Sequence, residues 1–129
     1  IFDQAKDIVF SLVEEIDKPE SVLVHDDAGS ANVIWNQNQP ILIDWTDSLA
    51  APPCQEFASL TFREDKPVLQ LIEAGYKKQI NREQLYFFQI IRYIRLGNFF
   101  YYEHGDIEEL KNMMDRLKIL LNRKIPFGV

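Results

Sequence analysis

The sequence has little cysteine and little positive charge, and it has no long hydrophobic run. Cys54 is the only cysteine among 129 residues, so a disulfide scaffold is excluded and a reducing compartment is favoured. Fourteen Lys and Arg stand against 20 Asp and Glu, and the net charge of -6 argues against a nucleic-acid backbone as the main partner. No apolar stretch approaches the roughly 20 residues that span a bilayer, and the first residues show no signal-peptide pattern. We therefore expect a cytoplasmic protein that binds neither nucleic acid nor a membrane.

The composition is that of a folded protein. Hydrophobic residues make up 47% of the chain and aromatic residues 12%, which is enough to build a packed core. The length predicts a single domain over residues 1–129. The first residue is Ile1, and we expect the chain to be a domain or a fragment of a longer protein.

Hydrophobic periodicity predicts an α+β fold that is mainly helical. Apolar residues recur at three- and four-residue steps over 2–16, which indicates an amphipathic helix that ends before Pro19. Short runs rich in β-branched residues predict strands over 21–24, 33–35 and 41–43, the last two forming a hairpin over 32–45. Four helices should follow, over 53–62, 67–79, 81–103 and 106–122, the last two beginning at the caps Asn81 and Asp106.

The residues that could take part in catalysis or metal binding lie between the first strand and the end of the hairpin. Asp27 is followed by Asn32 five residues later, and Asp44 comes directly after the hairpin. Loops at strand ends are where a rigid scaffold presents reactive groups. Mg²⁺ prefers a few hard oxygen ligands, and phosphoryl transfer also needs a carboxylate that orients the attacking hydroxyl. Taken singly, these three residues could instead be ordinary turn residues, because Asp and Asn favour loops.

The order and spacing of this region resemble the aminoglycoside phosphotransferase and choline-kinase-like family, a branch of the protein-kinase-like fold. That family carries a His-Gly-Asp-x-x-x-x-Asn loop, a hairpin, an Ile-Asp-Trp motif and a Pro-x-x-Asp-Leu-Ala helix start. The corresponding stretches here are His25-Asp26-Asp27 through Asn32, then Ile43-Asp44-Trp45, then Pro53-Cys54-Gln55-Glu56-Phe57-Ala58.

The resemblance implies an ATP- and Mg²⁺-dependent phosphotransferase that acts on a hydroxyl of an aminoglycoside-, choline- or sugar-like small molecule. It assigns Asp27 as the catalytic base and Asn32 and Asp44 as Mg²⁺ ligands. It assigns His25 as a brace of the loop, and Glu56 stands where the family has a structural Asp. The acidic balance of the chain suits a cationic acceptor. Asp47 is either an accessory ligand for metal or substrate or a solvated residue.

Several features depart from the family pattern. Asp26 replaces the usual Gly, and Ser30-Ala31 replaces Pro-Gly. No two of the five glycines lie close enough to form a glycine-rich phosphate loop. We therefore expect the C-terminal lobe alone, without the N-terminal lobe that clamps the nucleotide. We also expect an apolar face, near the strands or on the helix over 2–16, through which the chain self-associates. The alternative is a non-catalytic helical interaction module derived from such a kinase.

The aromatic residues over 86–102 have two interpretations. The simpler one is a helix that is buried on both sides. The other is that some of these rings line a pocket.

Overall fold

The computed structural model describes residues 1–14 and 20–129 and shows an α+β, mainly helical protein. Its helices are α1 (Phe2–Val13), α2 (Pro53–Thr61), α3 (Leu69–Tyr76), α4 (Arg82–Phe99) and α5 (Ile107–Arg123). Its strands are β1 (Val22–Val24), β2 (Val33–Asn36), β3 (Gln39–Leu42) and β4 (Leu49–Ala51). Within the described ranges, no helix has the length and apolar character needed to cross a membrane.

The predicted hairpin is present as the antiparallel pair of β2 and β3. Ile34 lies opposite Ile41, and the connection is the two-residue turn Gln37-Asn38. Both turn residues have positive φ, 46° and 67°. A turn of this kind matches the right-handed twist of the two strands, and Asn tolerates the left-handed region better than most residues.

A second antiparallel ribbon pairs β1 with β4. Strand β4 was not predicted from the sequence. Leu23 lies opposite Ala50 in the antiparallel register. The Leu49–Ala51 segment has little β-propensity of its own, because alanine is depleted in strands. The register sets the start of β1 opposite the end of β4, which leads into α2, and the loop that follows β1 is hydrogen-bonded to Glu56 of that helix.

The predicted helix caps are confirmed. The side chain of Asn81 accepts hydrogen bonds from the backbone N–H groups of Glu83 and Gln84, and that of Asp106 accepts one from Glu109. These bonds satisfy donors that a helix start leaves without an intrahelical partner.

Helix bounds differ from the predictions in three places. The helix predicted over 2–16 ends at Val13 in the described part of the chain, and residues 15–19, including the predicted stop at Pro19, lie outside the described residues. The helix predicted over 67–79 is shorter and spans Leu69–Tyr76. The helix predicted over 81–103 is α-helical to Phe99 and continues as a π-helical turn, Phe100–His104.

Two clusters of buried side chains form the core. The larger joins α1, α4 and α5, and the smaller packs α2 and α3 against the start of α4. Gly97 allows α1 to approach α4 closely, because a Cβ at this position would lie 2.7 Å from Cζ of Phe2. Gln89 is a fully buried polar residue; its side chain donates to Thr61 Oγ1, which is also buried, and accepts from the Phe127 backbone N–H. Helix α4 is thus held on several sides, which makes it a rigid support for the loop described next.

Candidate active site

The loop after β1 is anchored by His25, which is buried. Its Nε2 donates to the carbonyl of Ile43 at 2.8 Å, and its Nδ1 accepts from the backbone N–H of Asp27 at 3.3 Å. The edge of the ring also packs on Trp45, with ring centroids 4.7 Å apart. His25 therefore ties the loop to the end of the hairpin, which is the geometry that a bracing role requires.

Glu56, in the first turn of α2, holds the same loop from the other side. Its Oε2 accepts hydrogen bonds from the backbone N–H groups of His25 at 2.5 Å and Asp26 at 3.1 Å. Its Oε1 is buried and has no hydrogen-bond partner among the described residues. A carboxylate also suits the N-terminus of a helix, where the backbone dipole is positive.

Asp27 and Asn32, two of the three predicted chemical residues, are in direct contact. Asn32 Nδ2 donates to the Asp27 carboxylate at 2.9 Å and to the Asp27 carbonyl at 2.9 Å. The side chain of Asp27 is 56% exposed. The contact orients the carboxylate and leaves the amide oxygen of Asn32 without a hydrogen bond from the described residues.

Asp44 follows the residue that bonds to Asn32, without a hydrogen bond of its own to this pair among the described residues. The preceding residue, Ile43, donates its N–H to the Asn32 carbonyl at 3.0 Å. Asp44 has a left-handed φ of 56°, and its carboxylate accepts a hydrogen bond from Thr46 Oγ1 at 2.6 Å. That hydrogen bond is the main reason why the pKa of Asp44 lies below its ordinary value. No hydrogen bond or ion pair joins Asp44 to Asn32 or Asp27 in the described part of the chain, so their sharing of one ion stays a prediction.

The described residues contain no group of three or more His, Cys, Asp or Glu that could hold a metal ion. The predicted Mg²⁺ site needs only two protein ligands, one amide oxygen and one carboxylate. Phosphate oxygens and water would complete the coordination shell of the ion. Asp44 is exposed and Asn32 is half-buried, and both offer the hard oxygen atoms that Mg²⁺ prefers. The donor set therefore fits Mg²⁺.

Asp27 opens into a cleft of about 660 Å³ between the loop and the C-terminal half of α4. Asp47, for which the sequence left two roles open, also lines it, whereas neither Asn32 nor Asp44 does. The lining residues are Asp26, Asp27, Asp47, Arg92, Arg95, Leu96, Asn98, Phe99, Tyr102 and Glu103. The predicted base thus faces a space large enough for a small molecule.

Both interpretations of the aromatic run apply, each to a different part of it. Phe87 and Tyr93 are buried in the core, as the simpler interpretation expects. Phe99 and Tyr102 line the cleft, and Tyr101, adjacent in sequence, is exposed but does not line it. The change to a π-helical turn at Phe100 occurs at the cleft wall, and such turns often accompany functional sites.

Three charged residues at the floor of the cleft were not predicted as a group. Asp26 is 2% exposed, and its carboxylate accepts from Arg95 at 2.9 Å. The guanidinium of Arg92 donates to the Asp26 carbonyl at 2.8 Å and lies 3.8 Å from the Asp27 carboxylate. Burial lowers the pKa of Arg92, and the nearby carboxylates, Asp26 foremost, oppose that shift. The signal available in the sequence was the Arg92–Arg95 spacing of three, which places both side chains on one face of a helix.

This arrangement can orient a hydroxyl and accept its proton at Asp27, with oxygen ligands for a divalent cation close by. In agreement, the chain matches the sequence model of the APH phosphotransferase enzyme family over residues 2–88, more than half of its length. The chain belongs to this family. A comparison with curated proteins found no match. The match ends within α4, so the arginine pair and the π-helical turn lie beyond it.

Proposed function

We propose that this protein is an ATP- and Mg²⁺-dependent phosphotransferase that acts on a hydroxyl of a small molecule. The observation that carries the proposal is the Asp27–Asn32 hydrogen bond at the mouth of a cleft, formed within the motif that resembles the catalytic loop of this family. Asp27 orients the acceptor hydroxyl and takes up its proton as the oxygen attacks the γ-phosphate. His25 and Glu56 hold the backbone that carries Asp27.

Asn32 and Asp44 are the residues that would hold Mg²⁺. The Thr46 hydrogen bond lowers the pKa of Asp44, and the ionised carboxylate is the form that binds a cation. Bound Mg²⁺ neutralises the charge of the nucleotide phosphates. The rest of the catalysis is positioning, which the braces of the loop provide.

The cleft favours a cationic acceptor. Four carboxylates line it, two of them being Asp47 and Glu103, against the two arginines. The rings of Phe99 and Tyr102 lie on the same wall and can stabilise an ammonium group through their π faces. An amino sugar or an amino alcohol has this chemistry.

A matched pair of tyrosines tests the acceptor site. Tyr102 and Tyr101 are adjacent and both exposed, at 78% and 56%, but only Tyr102 lines the cleft. Binding of choline and of its neutral isostere 3,3-dimethyl-1-butanol should be measured by ligand-observed NMR. Choline should bind more tightly, and Tyr102→Ala should weaken it about threefold or more. Tyr101→Ala removes only a ring that packs edge-to-face with Tyr102, with centroids 4.7 Å apart, and should have a smaller effect. Equal binding of the two ligands, or equal effects of the two substitutions, would contradict a cationic acceptor.

Exposed apolar side chains on the strands support the proposal that the chain is a C-terminal kinase-like lobe. Leu23 is 70% exposed and Trp35 69%, and Ile34 and Ile41, paired across the hairpin, are also exposed. A nucleotide-clamping lobe would cover such a surface, whereas an independent interaction module would have a polar surface there. Self-association that rises with concentration in sedimentation, and that falls in Trp35→Ser, is the expected result. A strictly monomeric chain would favour the non-catalytic module.

Turnover tests the assignment of the base. Because the sequence holds no glycine-rich phosphate loop, we expect this chain to be nearly inactive, with at most a trace of transfer from ATP to hydroxylated amines in ³¹P NMR. Asp27→Asn should abolish it. If transfer persists in Asp27→Asn, Asp27 is not the catalytic base. Fast turnover by this chain would show that the nucleotide binds at a different place.

A further inference from the structure

We propose that Asp26 is a positioning residue, which together with Arg92 and Arg95 ties the loop bearing Asp27 to helix α4. The inference rests on the proposed role of Asp27 as the base. It concerns a feature in which this chain departs from the family pattern, since the position of Asp26 is usually Gly.

The backbone at Asp26 shows why glycine is common at this position. Its φ is 63°, in the left-handed region, where residues other than glycine are disfavoured. The side chain is also an almost fully buried carboxylate, and a buried charge is costly unless it is paired. A residue that carries both costs is stable here only because its surroundings compensate for them.

That compensation comes from two helices. From α2, Gln55 Nε2 donates to the Asp26 carboxylate at 3.2 Å and Ser59 Oγ donates to its carbonyl at 3.0 Å. From α4, Arg95 donates to the carboxylate at 2.9 Å and Arg92 donates to the carbonyl at 2.8 Å. Asp26 cannot rotate without breaking contacts with both helices.

Arg92 links Asp26 to Asp27, the proposed base. One nitrogen of the Arg92 guanidinium bonds the Asp26 carbonyl and the other lies 3.8 Å from the Asp27 carboxylate, so a single planar group spans both residues. The same helix continues into Asn98 and Phe99 on the cleft wall. The Asp26–Arg92–Arg95 cluster therefore sets the position of the base relative to the wall against which the acceptor would lie.

Hydrogen exchange of the 129-residue chain, followed by NMR, tests this inference. The variants are Asp26→Gly, which restores the residue common in the family, and Arg95→Gln, which removes one contact from a partly exposed side chain. Protection of the backbone amides of Gly29 and Asn32, which close the loop through bonds to the carbonyls of Asp27 and Gly29, should fall at least tenfold in both variants. Arg95→Lys, which keeps the charge, should recover part of that protection.

Controls separate positioning from general stability. Arg63 pairs with Glu109 at 2.6 Å away from the cleft, and Arg63→Gln should leave the loop amides unchanged. The amides of Leu117 and Leu120 in the core of α5 should keep their protection to within twofold in Arg95→Gln. Loop protection that is retained in both test variants would overturn the proposal. Equal losses in the loop and in α5, or a similar loss in Arg63→Gln, would also overturn it.

Mn²⁺ affinity of the same proteins, measured by water-proton relaxation, distinguishes this inference from the proposed function. If both are right, affinity should weaken several-fold in Arg95→Gln and stay unchanged in Arg63→Gln. If the metal assignment is wrong, Asn32→Ala will not affect Mn²⁺ binding, and the exchange data will still decide whether the cluster positions the loop. Loop protection could fall as expected in Arg95→Gln while the Mn²⁺ affinity stays unchanged. That result would show that the cluster stabilises the loop but does not position the metal site.

Discussion

Replacing Glu56 with alanine should destabilise the protein by several kcal/mol. The carboxylate accepts the backbone N–H groups of His25 and Asp26, and alanine would leave both without a partner in a part-buried loop. A hydrogen bond to a charged group contributes about 1.5–3 kcal/mol, so the two together amount to about 3–6 kcal/mol. Removal of the buried, unpartnered Oε1 offsets part of this loss. We expect a net loss of about 2–5 kcal/mol, against about 5–15 kcal/mol for the stability of a typical domain.

Urea unfolding followed by circular dichroism measures this loss. With a slope of about 2 kcal/mol per molar urea, the midpoint should fall by about 1–2.5 M. Glu108→Ala, at an exposed position on α5, is the matched control and should change stability by no more than about 0.5 kcal/mol. Glu56→Asp restores the residue that the family usually has and should retain most of the stability. A loss below about 1 kcal/mol in Glu56→Ala would show that the two amides do not depend on this carboxylate.

Three further outcomes follow from the contacts of other residues. Gln89→Leu should cost about 2–4 kcal/mol in thermal unfolding, because it leaves the buried backbone groups of Phe127 unpaired; a neutral substitution would contradict this. The Arg82 ion pair lowers the pKa of Glu73 to about 2, so its contribution is present above about pH 4.5 and is lost as the pH falls towards 2. Melting curves between pH 5 and pH 2.5 should accordingly show a smaller acid-induced loss in Arg82→Gln than in the wild type. Burial raises the pKa of Cys54 to about 11, so iodoacetamide at pH 8 should modify it only after unfolding; rapid labelling of the folded chain, seen by mass spectrometry, would refute this.

The elements with strong local signals were predictable from the sequence. The hairpin followed from its β-branched runs and its polar turn, and the starts of α4 and α5 followed from Asn81 and Asp106. Strand β4 was missed because Leu49–Ala51 forms a strand only through its pairing with β1, a contact between segments far apart in sequence. The end of α4 at Phe99 was also missed, since the transition to a π-helical turn has no marker in composition.

The candidate site was predictable only in part for a similar reason. Spacing identified Asp27 and Asn32, which a hydrogen bond joins. It also identified Asp44, which follows a residue bonded to Asn32 but has no hydrogen bond to either of them in the described part of the chain. The pairing of Asp26 with Arg95 was not predictable, because it joins residues 69 positions apart, and only the packing of α4 behind the loop brings them together.

The location of bound Mn²⁺ tests most directly whether Asn32 and Asp44 form the metal site of a phosphotransferase. In ¹H–¹⁵N spectra of the chain, substoichiometric Mn²⁺ broadens the resonances of residues near the ion, and excess Mg²⁺ should reverse the broadening. We expect broadening centred on Asn32 and Asp44, abolished in Asp44→Asn and unchanged in Asp115→Asn, an exposed carboxylate of α5 that serves as the control. Broadening centred on the acidic start of α5, or broadening that persists at the loop in Asp44→Asn, would contradict the proposed metal site.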